Sequence, residues 1–173
     1  MLFRSWRLPS FIAALALTFV LFRAAKDAYG QLSALIAVSA FGLNLLSPRL
    51  ATLVRSDMPL ALMIFLIGLL IWQKIRKGDE WKLHDQVYIF VLLTAAMLIK
   101  GPIVYAFVLP GIVINAVAVP LWGTRTPRTA RRLQVWPGWW PWLASLAIFL
   151  LWVAGGVRFQ PGFYDEVDRK SVA

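Results

Sequence analysis

The sequence contains no cysteine and only one histidine, and these two scarcities narrow the chemistry open to the chain. Without thiols there can be no disulfide bond, no thiol chemistry and no zinc–thiolate site. A single imidazole, that of His84, cannot build a histidine-rich metal site. The glycine-rich signatures of nucleotide-binding loops, G-x-x-x-x-G-K-[S/T] and G-x-G-x-x-G, are missing as well. Thiol enzymes, histidine metalloenzymes and these nucleotide-binding modules are therefore excluded.

Charge is also scarce, at 15% of residues, whereas 60% are hydrophobic. A soluble domain carries about a quarter charged residues. Six uncharged, largely apolar runs are present: Leu8–Phe22, Tyr29–Pro48, Met58–Gln73, Gln86–Ile99, Gly101–Thr124 and Leu133–Val157. A spanning helix needs roughly 20 such residues, and lipid requires the backbone to satisfy itself within each segment. The sequence therefore predicts an all-α, multi-pass transmembrane bundle of about six helices over residues 1–157. Residues 158–173 would form an extracytoplasmic tail.

The basic residues are unevenly divided between the two sides that six spans create. One side receives ten of the 18 Lys and Arg residues: Arg23, Lys26, Lys74, Arg76, Lys77, Lys82, Arg125, Arg128, Arg131 and Arg132. The positive-inside rule places this side in the cytoplasm. The termini oppose this orientation, because they add Arg4, Arg7, Arg158, Arg169 and Lys170 to the outer side. Because the cations occupy short loops, we expect them to contact lipid headgroups, and the net charge of +10 does not indicate nucleic-acid binding.

The stretch LVRSDMPLAL, Leu53 to Leu62, places three polar residues directly before an apolar run. The predicted topology puts Arg55 and Asp57 at the outer mouth of the third span. Pro59 suits the first turn of a helix, and Asp57 could cap that helix at its positive dipole end. Membrane-edge charges also serve binding sites, so a capping role and a site role are both open and are compatible.

A second polar point, Lys100-Gly101-Pro102, falls on the same predicted side. Gly101 can adopt the backbone angles of a tight reversal, and Pro102 can start the next helix. The run before it spans only about 21 Å unless residues from Trp81 onward lengthen the helix. Lys100 would otherwise lie below the headgroups, where it would snorkel or face a water-filled cavity. Together with Asp57, Arg55 and Arg49, it forms a charged group suited to a phosphate-bearing ligand.

A tryptophan-rich segment, WPGWWPW from Trp136 to Trp142, precedes the last apolar run. Indole rings prefer the headgroup level, so the segment is expected to mark the inner interface. Stacking on a sugar is the functional alternative.

Three segments, taken in order, resemble the multi-spanning GT-C glycosyltransferases. They are RLPSFIAALALTFVLFRAAKDAYG (Arg7 to Gly30), LLSPRLATLVRSDMPLALMIFLIGLLIW (Leu45 to Trp72) and LIKGPIVYAFVLPGI (Leu98 to Ile112). The most similar branch is the bacterial group related to protein O-mannosyltransferases and lipid A aminoarabinose transferases. The resemblance rests on an RLPS start, an R-x-D-x-x-L loop and a KGP hairpin, and it covers roughly Arg7 to Val157. The tail RFQPGFYDEV, Arg158 to Val167, also resembles a segment of that family.

The resemblance implies a multi-pass enzyme of the bacterial inner membrane with a polyprenyl-phosphate-linked sugar as donor. The sugar would pass to a lipid, glycan or protein acceptor on the outer side. Asp57 and Arg55 would belong to the cavity, with Asp57 as the candidate catalytic residue. Lys100, Gly101 and Pro102 would lie near the carrier phosphate. Asp165 and Glu166 are further candidate cavity acids, and a divalent cation is a candidate cofactor.

One departure from the family pattern concerns the presumed catalytic aspartate. The family carries it in an outer loop between a first span and the RLPS span, whereas here Met1 lies six residues before Arg7. The family's large C-terminal portion has no counterpart either. The expectation is therefore an internal part of a transferase, whose partner would be the rest of the enzyme. The alternative is a non-catalytic membrane protein: a scaffold subunit, a transporter component or a degenerate remnant.

Overall fold

The computed structural model describes residues 8–44, 56–121 and 137–159, and these residues form six α-helices. In chain order they are α1 Leu8–Tyr29, α2 Gln31–Leu43, α3 Asp57–Lys77, α4 Leu83–Lys100, α5 Ile103–Leu121 and α6 Trp140–Phe159. Each predicted apolar run overlaps one of the helices, and the described ranges contain no strand. The predicted all-α bundle is confirmed.

Four of these helices, α1, α3, α4 and α6, are long and apolar enough to cross a membrane. Helix α2 has 13 residues, so it is about 20 Å long and shorter than a hydrocarbon core of about 30 Å. Helix α5 has 19 residues, which gives about 28 Å at 1.5 Å per residue. The chain is therefore an integral membrane protein, and its described residues include four helices of spanning length.

The prediction that Arg23 and Lys26 lie in a short loop is wrong, because α1 continues to Tyr29. Only Gly30, with φ of 90°, separates α1 from α2. Basic side chains are favourable near the negative end of a helix dipole, and their long stems extend toward the headgroups. A pair of cations therefore does not require the helix to end.

Hydrogen bonds between helices show which ends lie together. Arg76, in the last turn of α3, donates to the main-chain oxygen of Asp27 near the end of α1, at 3.4 and 3.5 Å. The indole of Trp140 at the start of α6 donates to Gln86 in the first turn of α4, at 2.6 Å. We call this the basic end, and we call the end where α3 begins and α4 finishes the opposite end. The predicted grouping of the basic segments on one side is confirmed for the described residues.

The main hydrophobic core lies between α3, α4 and α5, with one contribution from α6. On α4 and α5 its residues recur every three or four positions, which is the spacing of one helix face. The buried cluster comprises Leu60, Ile67, Ile71, Ile89, Leu93, Ala96, Met97, Val104, Val108, Ile112 and Trp142. Because α4 packs against α3, α5 and α6, it is the central helix of this core.

Helices α1 and α2 form a separate hairpin that packs on the core through α1 and α3. The buried residues of the hairpin are mostly small: Ser10, Ala13 and Leu17 on α1, and Ala34 on α2. Small residues let helix backbones approach closely in lipid, where van der Waals packing drives association. Within the described ranges, no residue of this hairpin belongs to the core cluster.

Candidate functional site

An ion pair between Asp57 and Lys100 lies at the opposite end of the bundle. Asp57 is the first residue of α3 and Lys100 is the last residue of α4, so the packing of these two helices brings residues 43 positions apart into contact. Lys100 Nζ donates to Asp57 Oδ1. The side chain of Lys100 is 43% exposed and that of Asp57 is 23% exposed. The pair therefore faces the exterior and is accessible to a ligand.

The length of α4 determines how far Lys100 lies from the basic end. The helix begins at Leu83 and has 18 residues, which gives about 27 Å at 1.5 Å per residue. Residues before the apolar run Gln86–Ile99 thus lengthen the helix, which was one of the two possibilities that the sequence left open. Lys100 is thus the last residue of a helix whose length is close to the thickness of a hydrocarbon core of about 30 Å.

Gly101 makes the sharp turn that separates α4 from α5. Its φ of 74° and ψ of −165° belong to a region that is essentially restricted to glycine. Its N–H donates to the carbonyl of Met97 at 2.7 Å, and the carbonyl of Pro102 accepts from the backbone N–H of Tyr105 at 3.0 Å. The predicted reversal is confirmed, with Pro102 directly before the first residue of α5.

Gly101→Ala is expected to lower the free energy of unfolding by about 1–3 kcal/mol, because alanine is strained at this backbone conformation. A Cβ there would lie 3.9 Å from Phe149, so the loss would come from the backbone and not from a clash. Gly68→Ala, in the interior of α3 and open on all sides, is the matched control and should not destabilise. Unfolding in detergent, followed by circular dichroism, measures both. Equal stability of the two variants would contradict the prediction.

The structure corrects the predicted cap at the start of α3. Ser56 occupies the N-cap position and makes no side-chain capping hydrogen bond, while Asp57 is already inside the helix. The Asp57 carboxylate remains in the first turn, at the positive end of the helix dipole, but it accepts a hydrogen bond from Lys100. Pro59 lies in the first turn, as predicted.

Of the predicted site residues, the structure brings together Asp57, Lys100 and Gly101, with Pro102 next in the chain. Four others lie outside the described residues: Arg49, Arg55, Asp165 and Glu166. Among the residues that are described, no three His, Asp or Glu side chains form a group that could hold a metal ion. The metal-ligating side chains described at this end therefore do not form a site for the divalent cation named as a candidate cofactor.

A second charged cluster, at the basic end, was not predicted from the sequence. Lys74 near the end of α3 pairs with Asp85 in the first turn of α4 at 2.6 Å, with side-chain exposures of 13% and 9%. Asp85 also accepts from the backbone N–H of Lys82 at 3.0 Å and lies 3.1 Å from His84. Lys74 further lies 5.8 Å from the ring centre of Trp81. The cluster fastens the α3–α4 connection. The sequence feature that could have indicated this cluster is Asp85, an acidic residue in the first turn of α4.

The tryptophan-rich segment divides between surface and core. Trp139 is 70% exposed, which suits the predicted interface, and Trp136 lies outside the described residues. Trp142 is 5% exposed and belongs to the core cluster, so the interface prediction is wrong for this residue. Its carbonyl accepts from the Tyr105 hydroxyl at 2.7 Å, and the same hydroxyl lies 2.8 Å from Ser145. This buried network attaches the start of α6 to α5 and leaves the Trp142 ring no surface for a sugar.

The site thus consists of one accessible carboxylate–ammonium pair beside a glycine turn, at the end of the bundle remote from the basic cluster. Comparisons of the chain with protein-family models, with curated proteins and with solved structures gave no match.

Proposed function

We propose that the chain is the membrane part, or a portion of it, of a glycosyltransferase that takes a sugar from a polyprenyl-phosphate donor at the extracytoplasmic face. The observation that carries the proposal is the Asp57–Lys100 pair: two residues of the family-like motifs, far apart in sequence, are in contact at one end of the bundle. The bacterial inner membrane is the proposed location.

The chemistry of the pair matches the two demands of such a transfer. Lys has three donor hydrogens and one of them is engaged by Asp57, so a phosphate oxygen can share the same ammonium group. A carboxylate has about four acceptor positions, which leaves room for the hydroxyl of an incoming acceptor.

In the proposed step, the acceptor hydroxyl oxygen attacks the anomeric carbon of the sugar while its proton passes to Asp57. The bond between the anomeric carbon and the phosphate oxygen breaks, and the phosphate leaves with the bonding electrons. Lys100 stabilises the charge that develops on this oxygen. Asp57 would be regenerated when its proton is released to water.

The proposal is tested by the binding of undecaprenyl phosphate to the chain in nanodiscs. Lys100→Ala is expected to weaken binding about 10-fold to 150-fold, because a hydrogen bond to a charged group is worth roughly 1.5–3 kcal/mol. Lys77→Ala removes an exposed cation at the basic end and should leave the affinity unchanged. Undecaprenol, which lacks the phosphate, should bind weakly to all variants.

A non-catalytic membrane protein is the second candidate, and the same pair is what favours it. An ion pair between two helix ends is also what a structural clip requires, and Asp57 is the only carboxylate at this end among the described residues. If wild type and Lys100→Ala bind undecaprenyl phosphate equally well and Lys100→Ala is less stable, the ion pair has a structural role. The assignment of Lys100 to a donor-binding site would then be wrong.

A further inference from the structure

At the basic end, a cleft of about 340 Å³ opens between the last turns of α1 and α3. It is lined by Ala28 and Tyr29 from α1 and by Trp72, Ile75 and Arg76 from α3. This cleft lies at the other end of the bundle from Asp57 and Lys100, so it plays no part in the proposed transfer.

Arg76 supplies the charge of the cleft. Its guanidinium lies 5.3 Å from the ring centre of Trp72 and donates two long hydrogen bonds, both to the Asp27 carbonyl. Among the described residues, no carboxylate lies within ion-pair distance of it. Because a guanidinium has five donors in a planar fork, Arg76 can hold two oxygens of one phosphate group without losing its contact with Trp72.

The surroundings of Arg76 match a lipid better than a water-soluble anion. The cleft lies at the ends of two helices of spanning length, where Trp and Tyr rings occupy the headgroup level. Ile75 and Ala28 offer an apolar wall below the guanidinium. Lys26 and Lys77, in the same last turns, favour a headgroup without an ammonium group, although the exposed carboxylate of Asp27 opposes an anion.

We propose that this cleft binds the headgroup of an anionic phospholipid, with Arg76 holding the phosphodiester and the acyl chains lying along α1 and α3. Basic clefts between membrane helices on the cytoplasmic side recognise anionic headgroups in this way. The assignment is independent of the proposed glycosyltransferase function.

The test uses the full chain in nanodiscs that contain brominated phosphatidylglycerol or brominated phosphatidylcholine, which quench nearby tryptophan. The emission of Trp72 is obtained by subtracting the signal of Trp72→Phe in each background. We expect phosphatidylglycerol to quench Trp72 at about fivefold lower mole fraction than phosphatidylcholine, since one basic residue at the surface contributes about this factor. Arg76→Gln should abolish the preference, whereas Arg76→Lys should keep only part of it, because an ammonium group keeps the charge but lacks the planar fork.

Two matched variants separate a built site from diffuse attraction. Ala28→Phe fills the cleft and keeps every charge, so it should abolish the preference. Lys77→Gln removes a neighbouring cation that does not line the cleft, so it should weaken the preference much less than Arg76→Gln does. Circular dichroism checks that each variant is folded. The proposal is overturned if Lys77→Gln acts like Arg76→Gln, if Ala28→Phe has no effect, or if excess inorganic phosphate removes the preference, because that would indicate a site for free anions.

Discussion

Asp57→Asn is expected to lower the turnover number for sugar transfer by about 100-fold to 10,000-fold, the range that a positioned general base contributes. Asparagine keeps the size of the side chain and can still accept a hydrogen bond from Lys100, but it cannot take the proton of an acceptor hydroxyl. Transfer from a labelled polyprenyl-phosphate sugar, catalysed by membranes that contain the intact reading frame, measures the effect.

Donor binding should respond differently from turnover. Removing the negative charge of Asp57 leaves Lys100 without a charged partner and reduces repulsion of the phosphate, so Asp57→Asn should bind undecaprenyl phosphate as well as wild type or better. Asp79→Asn, an exposed acid at the basic end, is the control and should transfer normally. If Asp57→Asn transfers at the wild-type rate, the assignment of Asp57 as the base fails even where the binding results support Lys100.

Lys74→Ala is expected to cost about 3 kcal/mol of unfolding free energy, the largest stability effect that the structure predicts. The variant leaves the carboxylate of Asp85, which is 9% exposed, without its ammonium partner. Removing one member of a buried pair is far more destabilising than removing both, because an uncompensated charge remains. Lys74→Met combined with Asp85→Leu should therefore recover part of the loss. The recovery should be incomplete, since Asp85 also accepts from Lys82.

Titration with sodium dodecyl sulfate in mixed micelles, followed by helix content, gives these free energies. Lys77→Ala is the matched control, because Lys77 lies in the same last turn of α3 and is exposed. Exposed charges contribute little to stability, so this control should stay within about 0.5 kcal/mol of wild type. A similar small effect for Lys74→Ala would show that the Lys74–Asp85 pair does not stabilise the fold.

Much of the architecture was predictable because lipid imposes strict rules on sequence. Long uncharged runs gave the helices, and the alternation of basic and non-basic segments gave the ends that lie together. The turn at Gly101 was predictable as well, since the preceding and following runs were together too long for one span. These are local or one-dimensional properties, so no knowledge of the packing was needed.

The contacts between helices were not predictable in the same way. Asp57 and Lys100 could be assigned to one side of the membrane, but only the packing of α3 on α4 shows that they touch. Trp142 belongs to the core although its neighbours in sequence suggest an interface, because the amphipathic indole ring suits either location. The end of α1 was misplaced because Arg23 and Lys26 are as compatible with a last helical turn as with a loop.

The position of α3 between the hairpin and the core has a consequence for how the protein is made. Helices α1 and α2 leave the ribosome before α3, and small buried residues of the two helices allow them to pack closely. The core requires α4 and α5, which are synthesised afterwards. Helix α3 packs against α1 of the hairpin and against α4 and α5 of the core, so two of its three helix partners are synthesised after it. The insertion of α3 therefore connects the α1–α2 hairpin, which is synthesised before it, to the core helices that are synthesised after it.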